Sequence, residues 1–514
     1  MILRLLSTLL LAGGVCFAQA EGKALQDLQK AFRASTAKKA SPAELAALRR
    51  SAIAGIGSAD NAKIAEALAD AWLALETDAA AAETERQAAN AELVKVDGQR
   101  EVPKEVYDKI QALRPRLGEL RKLTDELRGM QEDVQRHIGE LHSADALGFL
   151  LDKVLTQKKD PMPLRLAAGR AVGSNGAAIM GRVQAALERA RDAVEVVPLI
   201  DAVAAAGAQG KTCALAVMLN LKHKDEFVRE RAALALSHLG VAEAIEPMIG
   251  VLEQSEGQMR TRVAAALEVL TGKQFGANPG AWRGWWTNEG AQFVAGAPAL
   301  GSGTPSHRKD TNRFYYFGIP QDESHSIVYV IDCSGSMTAP VDRKTAVTTA
   351  DGSDGTKETR LEACKRELIA ALGKLEKRQK FAILWYSDLP HWYQPQLQAA
   401  EPAAVAAAQT FVRTLHPESS TNIHDSLELC FTLVGRGAHD KYYEPAFDTI
   451  FLLTDGSPTT NEGKPDSTEK ILAGVRQWNA LKRVTIHAIG IGNGLDVAFL
   501  TQLAKENGGE FKQF

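Results

Sequence analysis

Two aspartates and three hydroxyl residues have the side-chain types and spacing to do chemistry together. Asp332 ends an apolar run, and Ser334 and Ser336 follow it in the stretch "IVYVIDCSGSM". Asp455 ends a later apolar run, and Thr421 lies in a turn just before a predicted helix. All five side chains offer hard oxygen donors. Such donors suit Mg²⁺, or another hard divalent cation such as Mn²⁺ or Ca²⁺, whereas zinc prefers cysteine or histidine.

The elements that must position these residues are buried parallel strands. Four short runs are almost continuously apolar, as strands covered on both faces should be: residues 325–332, 380–387, 448–455 and 484–492. Amphipathic helices that begin near Thr359 and Ser467 separate them. The pattern predicts a doubly wound, mostly parallel α/β sheet of the Rossmann-like kind. In such sheets, function lies at the carboxyl ends of the strands, where Asp332 and Asp455 stand.

In their order along the chain, the five residues resemble the metal-ion-dependent adhesion site of von Willebrand factor type A (VWA) domains. The family pattern is D-x-S-x-S, then a threonine before a helix, then an aspartate that ends a later strand. The resemblance covers residues 323–514. Two departures are "SSTN" around Thr421, where many relatives have glycines, and a long polar insertion from Thr338 to Glu358.

The resemblance implies a binding function for this site. The three hydroxyls would hold the cation directly, while Asp332 and Asp455 would act largely through bound waters. One coordination position would then stay open for an aspartate or glutamate of a partner protein. We therefore expect an adhesion protein or an assembly adaptor.

A metal-dependent hydrolase is a less favoured alternative. Ser334 does not lie in a G-x-S-x-G elbow, and no general base is evident beside the five oxygen donors. The histidines of this half are scattered and are expected to be structural or at the surface: His325, His391, His416, His424 and His487. We therefore expect that the protein is not an enzyme. The other alternative is a helical scaffold whose metal site is vestigial or purely structural.

The first half of the chain is predicted to be entirely helical, because alanine and leucine recur at helical spacing. Four segments each open with an arginine and close near a glycine, beginning at Arg50, Arg165, Arg231 and Arg262. They resemble HEAT repeats, which we assign to residues 146–290 with a first unit at residues 21–60. The spacing is uneven, so an irregular helical bundle remains the alternative.

Residues 61–145 are predicted to form two long helices, roughly 61–95 and 104–142, with a turn between them. Leucine or valine recurs every seven residues at Leu113, Leu120, Leu127, Val134 and Leu141, and Leu123 and Met130 are assigned to the interleaved positions. The pattern fits either an antiparallel hairpin within one chain or a coiled coil that makes a homodimer.

A tryptophan cluster follows the last repeat and precedes a linker at residues 291–322. Trp282, Trp285 and Trp286 have helical spacing, which favours a hydrophobic end cap over a carbohydrate platform.

Residues 1–20 have the order of a secretory signal, with an apolar core and the Ala18-Gln19-Ala20 motif, so we expect a periplasmic or extracellular protein. Lysine plus arginine number 60 against 63 aspartate plus glutamate, which argues against nucleic-acid binding, and no later stretch predicts stable membrane insertion.

The remaining cysteines lack metal-site or framework spacing and are expected to be buried thiols: Cys213, Cys333, Cys364 and Cys430.

Overall fold

A computed structural model describes residues 19–33, 36, 40–95, 104–296, 301, 303, 315–321, 324–341, 358–433 and 445–514. The chain divides into two compact units, one of residues 1–255 and 262–306 and the other of residues 256–261 and 307–514. Most of the predicted signal sequence lies outside the described residues, as does most of the polar insertion. Of the helices that are described, none is both long enough and apolar enough to span a bilayer.

The N-terminal region is helical, as the sequence predicts. Its α-helices are α1 (19–31), α2 (Pro42–Ala54), α3 (Ala62–Val94), α4 (Lys104–Glu140), α5 (Ala144–Phe149), α6 (Met162–Asn175), α7 (Met180–Arg189), α8 (Ala193–Ala205), α9 (Ala214–Leu219), α10 (Glu226–Leu239), α11 (Ile245–Gln254), α12 (Gly257–Thr271) and α13 (Pro279–Gly296). A π-helical turn, Leu150–Leu155, follows α5.

The long helices α3 and α4 pack antiparallel within one chain. Arg128 of α4 pairs with Glu83 at 2.6 Å, and Arg116, earlier in α4, pairs with Glu85, later in α3. Three heptad residues of α4 are buried, Leu120, Leu127 and Val134, and so is Leu141 directly after the helix, while Leu113 is half-buried. The chain therefore fills this seam itself, which favours the hairpin interpretation.

One heptad assignment is wrong. Leu123 is 37% exposed, whereas Met130 is buried as assigned, and residues Thr124, Gln131 and Ile138 of the same helix are buried as well. Two of these three residues are polar: Thr124 bonds to the Leu120 carbonyl and Gln131 to the Trp72 carbonyl. A search for apolar residues at i+3 misses polar seam positions that are satisfied by backbone oxygens.

Ion pairs at nearly constant sequence separation link successive helices of the N-terminal region. Arg231 pairs with Asp201, Arg262 with Glu230 and Arg283 with Glu253, at separations of 30, 32 and 30 residues. Arg165 is buried and donates instead to the Leu155 carbonyl at 3.1 and 3.0 Å. A spacing of this kind is typical of repeated helix pairs, and the HEAT assignment stays a prediction.

The tryptophans of α13 pack against one another and against the turn that precedes the helix. Trp282 and Trp285 are buried, and Trp282 meets Phe275 edge to face with ring centroids 5.0 Å apart. The Trp282 indole N–H donates to the Gly276 carbonyl at 2.8 Å. These two buried rings offer no open stacking face, which is what a carbohydrate platform would require.

The C-terminal unit is built on a seven-stranded sheet in the order β5-β4-β3-β7-β8-β9, with β6 paired to β4. Its strands are β3 (Ser326–Asp332), β4 (Lys380–Tyr386), β5 (Pro390–Trp392), β6 (Gln398–Ala399), β7 (Thr449–Thr454), β8 (Thr485–Gly490) and β9 (Phe511–Gln513); β1 (Tyr315–Tyr316) and β2 (Ile319–Pro320) pair separately. Among the described strands of this sheet, β5 and β6 alone run antiparallel to their neighbour β4. The mostly parallel fold predicted from the sequence is confirmed.

Helices cover both faces of this sheet. They are α14 (Arg360–Leu372), α15 (Pro402–Thr414), α16 (Ile423–Phe431), α17 (Thr468–Trp478) and α18 (Val497–Glu506). The core on one face includes Leu368 and Val412, and the core on the other includes Leu427 and Leu500. Both faces are apolar, which is why the strands read as continuous hydrophobic runs. The four described cysteines are buried free thiols.

Candidate metal centre

The carboxyl ends of two neighbouring strands bring the two aspartates together. β3 and β7 are parallel and paired in register, with Ile331 opposite Leu453, so both strands end at the same edge. Asp332 is the last residue of β3, and Asp455 directly follows β7. The Asp455 backbone N–H points at Asp332 Oδ2 from 3.4 Å. Two positions 123 residues apart in sequence therefore meet at one point of the sheet.

Asp332 is fully buried and held by donors on every side. Its Oδ1 accepts from the Ser334 backbone N–H at 2.8 Å. Its Oδ2 accepts from Thr454 Oγ1 at 2.8 Å and from the Tyr386 hydroxyl at 3.3 Å. Burial, with the nearby negative charge of Asp455 as a second cause, raises the pKa of Asp332 to about 6. The carboxylate is thus fixed in place but electrostatically costly when ionised.

Two serine hydroxyls lie against the second aspartate. Ser336 Oγ donates to Asp455 Oδ1 at 2.6 Å, and Ser334 Oγ lies 3.0 Å from Ser336 Oγ and 3.5 Å from Asp455 Oδ1. Ser334 and Asp455 are buried, whereas Ser336 is exposed. The D-x-S-x-S loop therefore opens to solvent on the Ser336 side.

Thr421 lies on the same side of the sheet, just before α16 and its N-cap Asn422. Its backbone is held by Thr459, whose hydroxyl accepts from the Thr421 N–H at 2.8 Å. A methyl group placed on Gly456 would lie 3.7 Å from Thr421 Oγ1 and 3.9 Å from Ser336 Oγ. Both hydroxyls therefore border the small space in front of Gly456, and the fold brings all five predicted residues together.

The donor set fits a hard divalent cation. All of its side-chain donors are oxygens, and two of them are carboxylates buried next to each other, where burial first and the charge of Asp455 second raise the pKa of Asp332. A bound cation would offset the cost of ionising these carboxyls, and neutral hydroxyls would complete its contacts without cancelling its charge.

The structure places a positively charged side chain at the site that the sequence did not predict. Arg360, the first residue of α14, donates from Nη1 to Asp455 Oδ2 at 2.9 Å. Its side chain is 17% exposed, while that of Asp455 is fully buried. The two oxygens of Asp455 are thereby divided, one facing Ser336 and the other facing Arg360. An arginine at the start of an amphipathic helix is too common a pattern to have signalled this contact.

A second group of potential ligands lies on α16. One ligand atom from each of His424, Asp425 and Glu428 lies within 4.8 Å of the others, and all three residues are buried. His424 Nδ1 lies 3.0 Å from Asp425 Oδ1, and Asn422 Nδ2 donates to Asp425 Oδ2 at 2.8 Å. His424, predicted to be structural or at the surface, is buried, and these hydrogen bonds account for Asp425 without an ion.

A family model described as von Willebrand factor type A domain matches residues 345–512. The chain carries a VWA domain. The matched residues include Thr421 and Asp455, and the D-x-S-x-S segment lies before them. The VWA domain is similar to inter-alpha-trypsin inhibitor heavy chain H3 of Mus musculus, at 32% identity over 202 residues, and to heavy chain H4 of Homo sapiens, at 28% over 203 residues. These matches cover 38% and 39% of this chain, which spans about a fifth of the length of the curated relatives, 20% and 21% respectively.

Two solved structures are also similar to part of the chain. A von Willebrand factor type A protein from Catenulispora acidiphila has 21% identity and a TM-score of 0.29, covering 38% of this chain and 40% of its own. Proximal thread matrix protein 1 from the mussel byssus, whose title describes a zinc-occupied MIDAS motif, has 19% identity and a TM-score of 0.24, covering 37% of this chain and 41% of its own.

Proposed function

We propose that this protein is a non-enzymatic, exported adhesion protein or assembly adaptor that binds an acidic residue of a partner protein through a divalent cation. The observation that carries the proposal is the meeting of Asp332, Ser334, Ser336, Thr421 and Asp455 at one sheet edge. The similarity of the VWA domain to the inter-alpha-trypsin inhibitor heavy chains supports a protein-binding role. Export rests on the signal-like first twenty residues.

In this proposal the hydroxyls of Ser334, Ser336 and Thr421 hold the cation, and the two aspartates balance its charge. Mg²⁺ is the expected ion because every donor is a hard oxygen. The cation supplies an electrophilic position that a carboxylate can fill. The chain's own part is to keep that position accessible, and the exposure of Ser336 at the rim supports this.

A non-catalytic role agrees with the surroundings of the candidate nucleophile. Ser334 is fully buried, and its hydroxyl contacts Ser336 and Asp455 rather than an imidazole among the described residues. A serine nucleophile requires an adjacent base and access to its substrate. Among the described residues no imidazole lies beside Ser334, and its burial limits the access of a substrate to its hydroxyl.

The test is capture of partners by residues 21–514, immobilised in Mg²⁺ and in EDTA, with Asp332→Ala as the matched control. The proposal expects a protein retained by wild type only in Mg²⁺ and not by Asp332→Ala, and substitution of one Asp or Glu in that partner should abolish retention. A partner retained equally in EDTA and by Asp332→Ala would contradict a role of the metal site in binding. Substrate turnover lost in Asp332→Ala would make the protein an enzyme.

A further inference from the structure

The Arg360–Asp455 ion pair borders the candidate metal site, on the Asp455 oxygen that does not face the serine hydroxyls, and the residues around it hold it in place. The Arg360 backbone N–H donates to the Ala339 carbonyl at 2.9 Å, and Val341 N–H donates to the Glu358 carbonyl at 3.0 Å. These bonds close the two ends of the polar insertion against each other. Arg360 therefore starts α14 from a fixed point beside the D-x-S-x-S loop.

The guanidinium of Arg360 packs directly against the backbone of Gly492. A methyl group on Gly492 would come within 2.5 Å of Arg360 Nη2 and 2.6 Å of its Cζ. Only a residue without a side chain leaves the guanidinium room at this position. The geometry therefore comes from two separate parts of the chain, the start of α14 and the loop after β8.

We propose that Arg360 is a built-in counter-cation that sets how tightly the VWA site binds its metal ion. With Arg360 in place, Asp332, Asp455 and Arg360 together carry a net charge of −1 when both carboxyls are ionised. Without it the net charge is −2, and a divalent cation is attracted more strongly. Arg360 also occupies Asp455 Oδ2 and leaves only Oδ1 facing the hydroxyls.

A weaker hold on the ion has a functional consequence. A cation that is less neutralised by the chain's own carboxylates keeps more attraction for a carboxylate from outside. Arg360 would thus lower the affinity of the site for the metal ion and raise the affinity of the bound ion for an acidic ligand. This inference rests on the proposed function of the site.

The experiment is calorimetric titration of residues 21–514 with Mg²⁺ alone. Arg360→Gln is expected to bind Mg²⁺ about tenfold more tightly than wild type, from the loss of one positive charge in a partly buried site. Arg360→Lys keeps the charge and should stay near wild type. Arg366→Gln is the control on the same helix, since Arg366 pairs with Glu358 and Glu367.

Unfolding in EDTA gives a second, metal-independent readout. Without metal, Arg360→Gln leaves Asp455 buried beside Asp332 with no cation, so it should be less stable than Arg366→Gln in EDTA, and Mg²⁺ should remove most of that difference. Unchanged or weaker Mg²⁺ binding by Arg360→Gln, with wild type still binding, would overturn the inference and leave the proposed function intact. Absence of Mg²⁺ binding by wild type would instead overturn both.

Discussion

The buried charge of Asp332 predicts that one substitution has opposite effects with and without metal. The substitution is Asp332→Asn, which keeps the side-chain shape and removes the charge. The pKa of Asp332 rises from 3.8 to about 6, so at pH 7 its ionised form costs the metal-free fold about 3 kcal/mol. The new amide NH₂ group would face the Thr454 and Tyr386 hydroxyls, which now donate to Oδ2, at a cost of about 1 kcal/mol. In EDTA the variant should therefore be more stable than wild type by about 2 kcal/mol.

Saturating Mg²⁺ should reverse this order. Wild type gains about 4 kcal/mol when Mg²⁺ is about a thousandfold above its Kd, and a variant that does not bind the ion gains nothing. The assay is hydrogen exchange at pH 7 with peptides from β3, which attributes stability to the C-terminal unit. Greater stability of wild type in EDTA would refute the argument that Asp332 is electrostatically costly. Equal protection of both proteins by Mg²⁺ would refute the assignment of Asp332 to the site.

Two further predictions concern the hairpin and a buried histidine. Changing Leu120, Leu127 and Val134 together to alanine should leave the mass by light scattering unchanged and destabilise the helical region by several kcal/mol, because the chain buries these residues against its own α3; conversion of a dimer to a monomer would contradict the internal seam. His487 Nδ1 accepts a hydrogen bond from the Glu510 N–H, and burial lowers the pKa of His487 to about 4. The fold therefore favours the neutral ring. The stabilising contribution of His487 is complete above pH 6.5 and is lost as the pH falls towards 4. Wild type should lose up to about 3 kcal/mol relative to His487→Gln between pH 7 and pH 4 in chemical denaturation, and parallel pH profiles would contradict this.

The strands and the meeting of the site residues followed from local patterns. β3 carries five consecutive apolar residues, and such a run is typical of a strand covered on both faces, while parallel strands end at one edge, so Asp332 and Asp455 were expected at the same edge of the sheet. The threonine was placed by the family order, and Asn422 caps the helix that follows it.

The parts that the sequence did not predict depend on long-range packing. Arg360 reaches Asp455 across 95 residues, and no local pattern encodes that contact. The edge strand β9 has three residues, too few for a hydrophobic period to be recognised. In α4, Thr124 and Gln131 are buried because backbone oxygens accept their hydrogen bonds, so an apolar pattern passes over them.

The measurement that tests the central claim most directly is calorimetric titration of Mg²⁺ into residues 21–514, with Asp332→Ala and Thr421→Ala measured beside wild type. Asp332→Ala should abolish binding because it removes one of two carboxylates, whereas Thr421→Ala should still bind the ion because water can replace one neutral donor. Circular dichroism should show all three proteins folded. Equal Mg²⁺ affinity in wild type and folded Asp332→Ala would contradict the assignment of this sheet edge as a metal-dependent binding site.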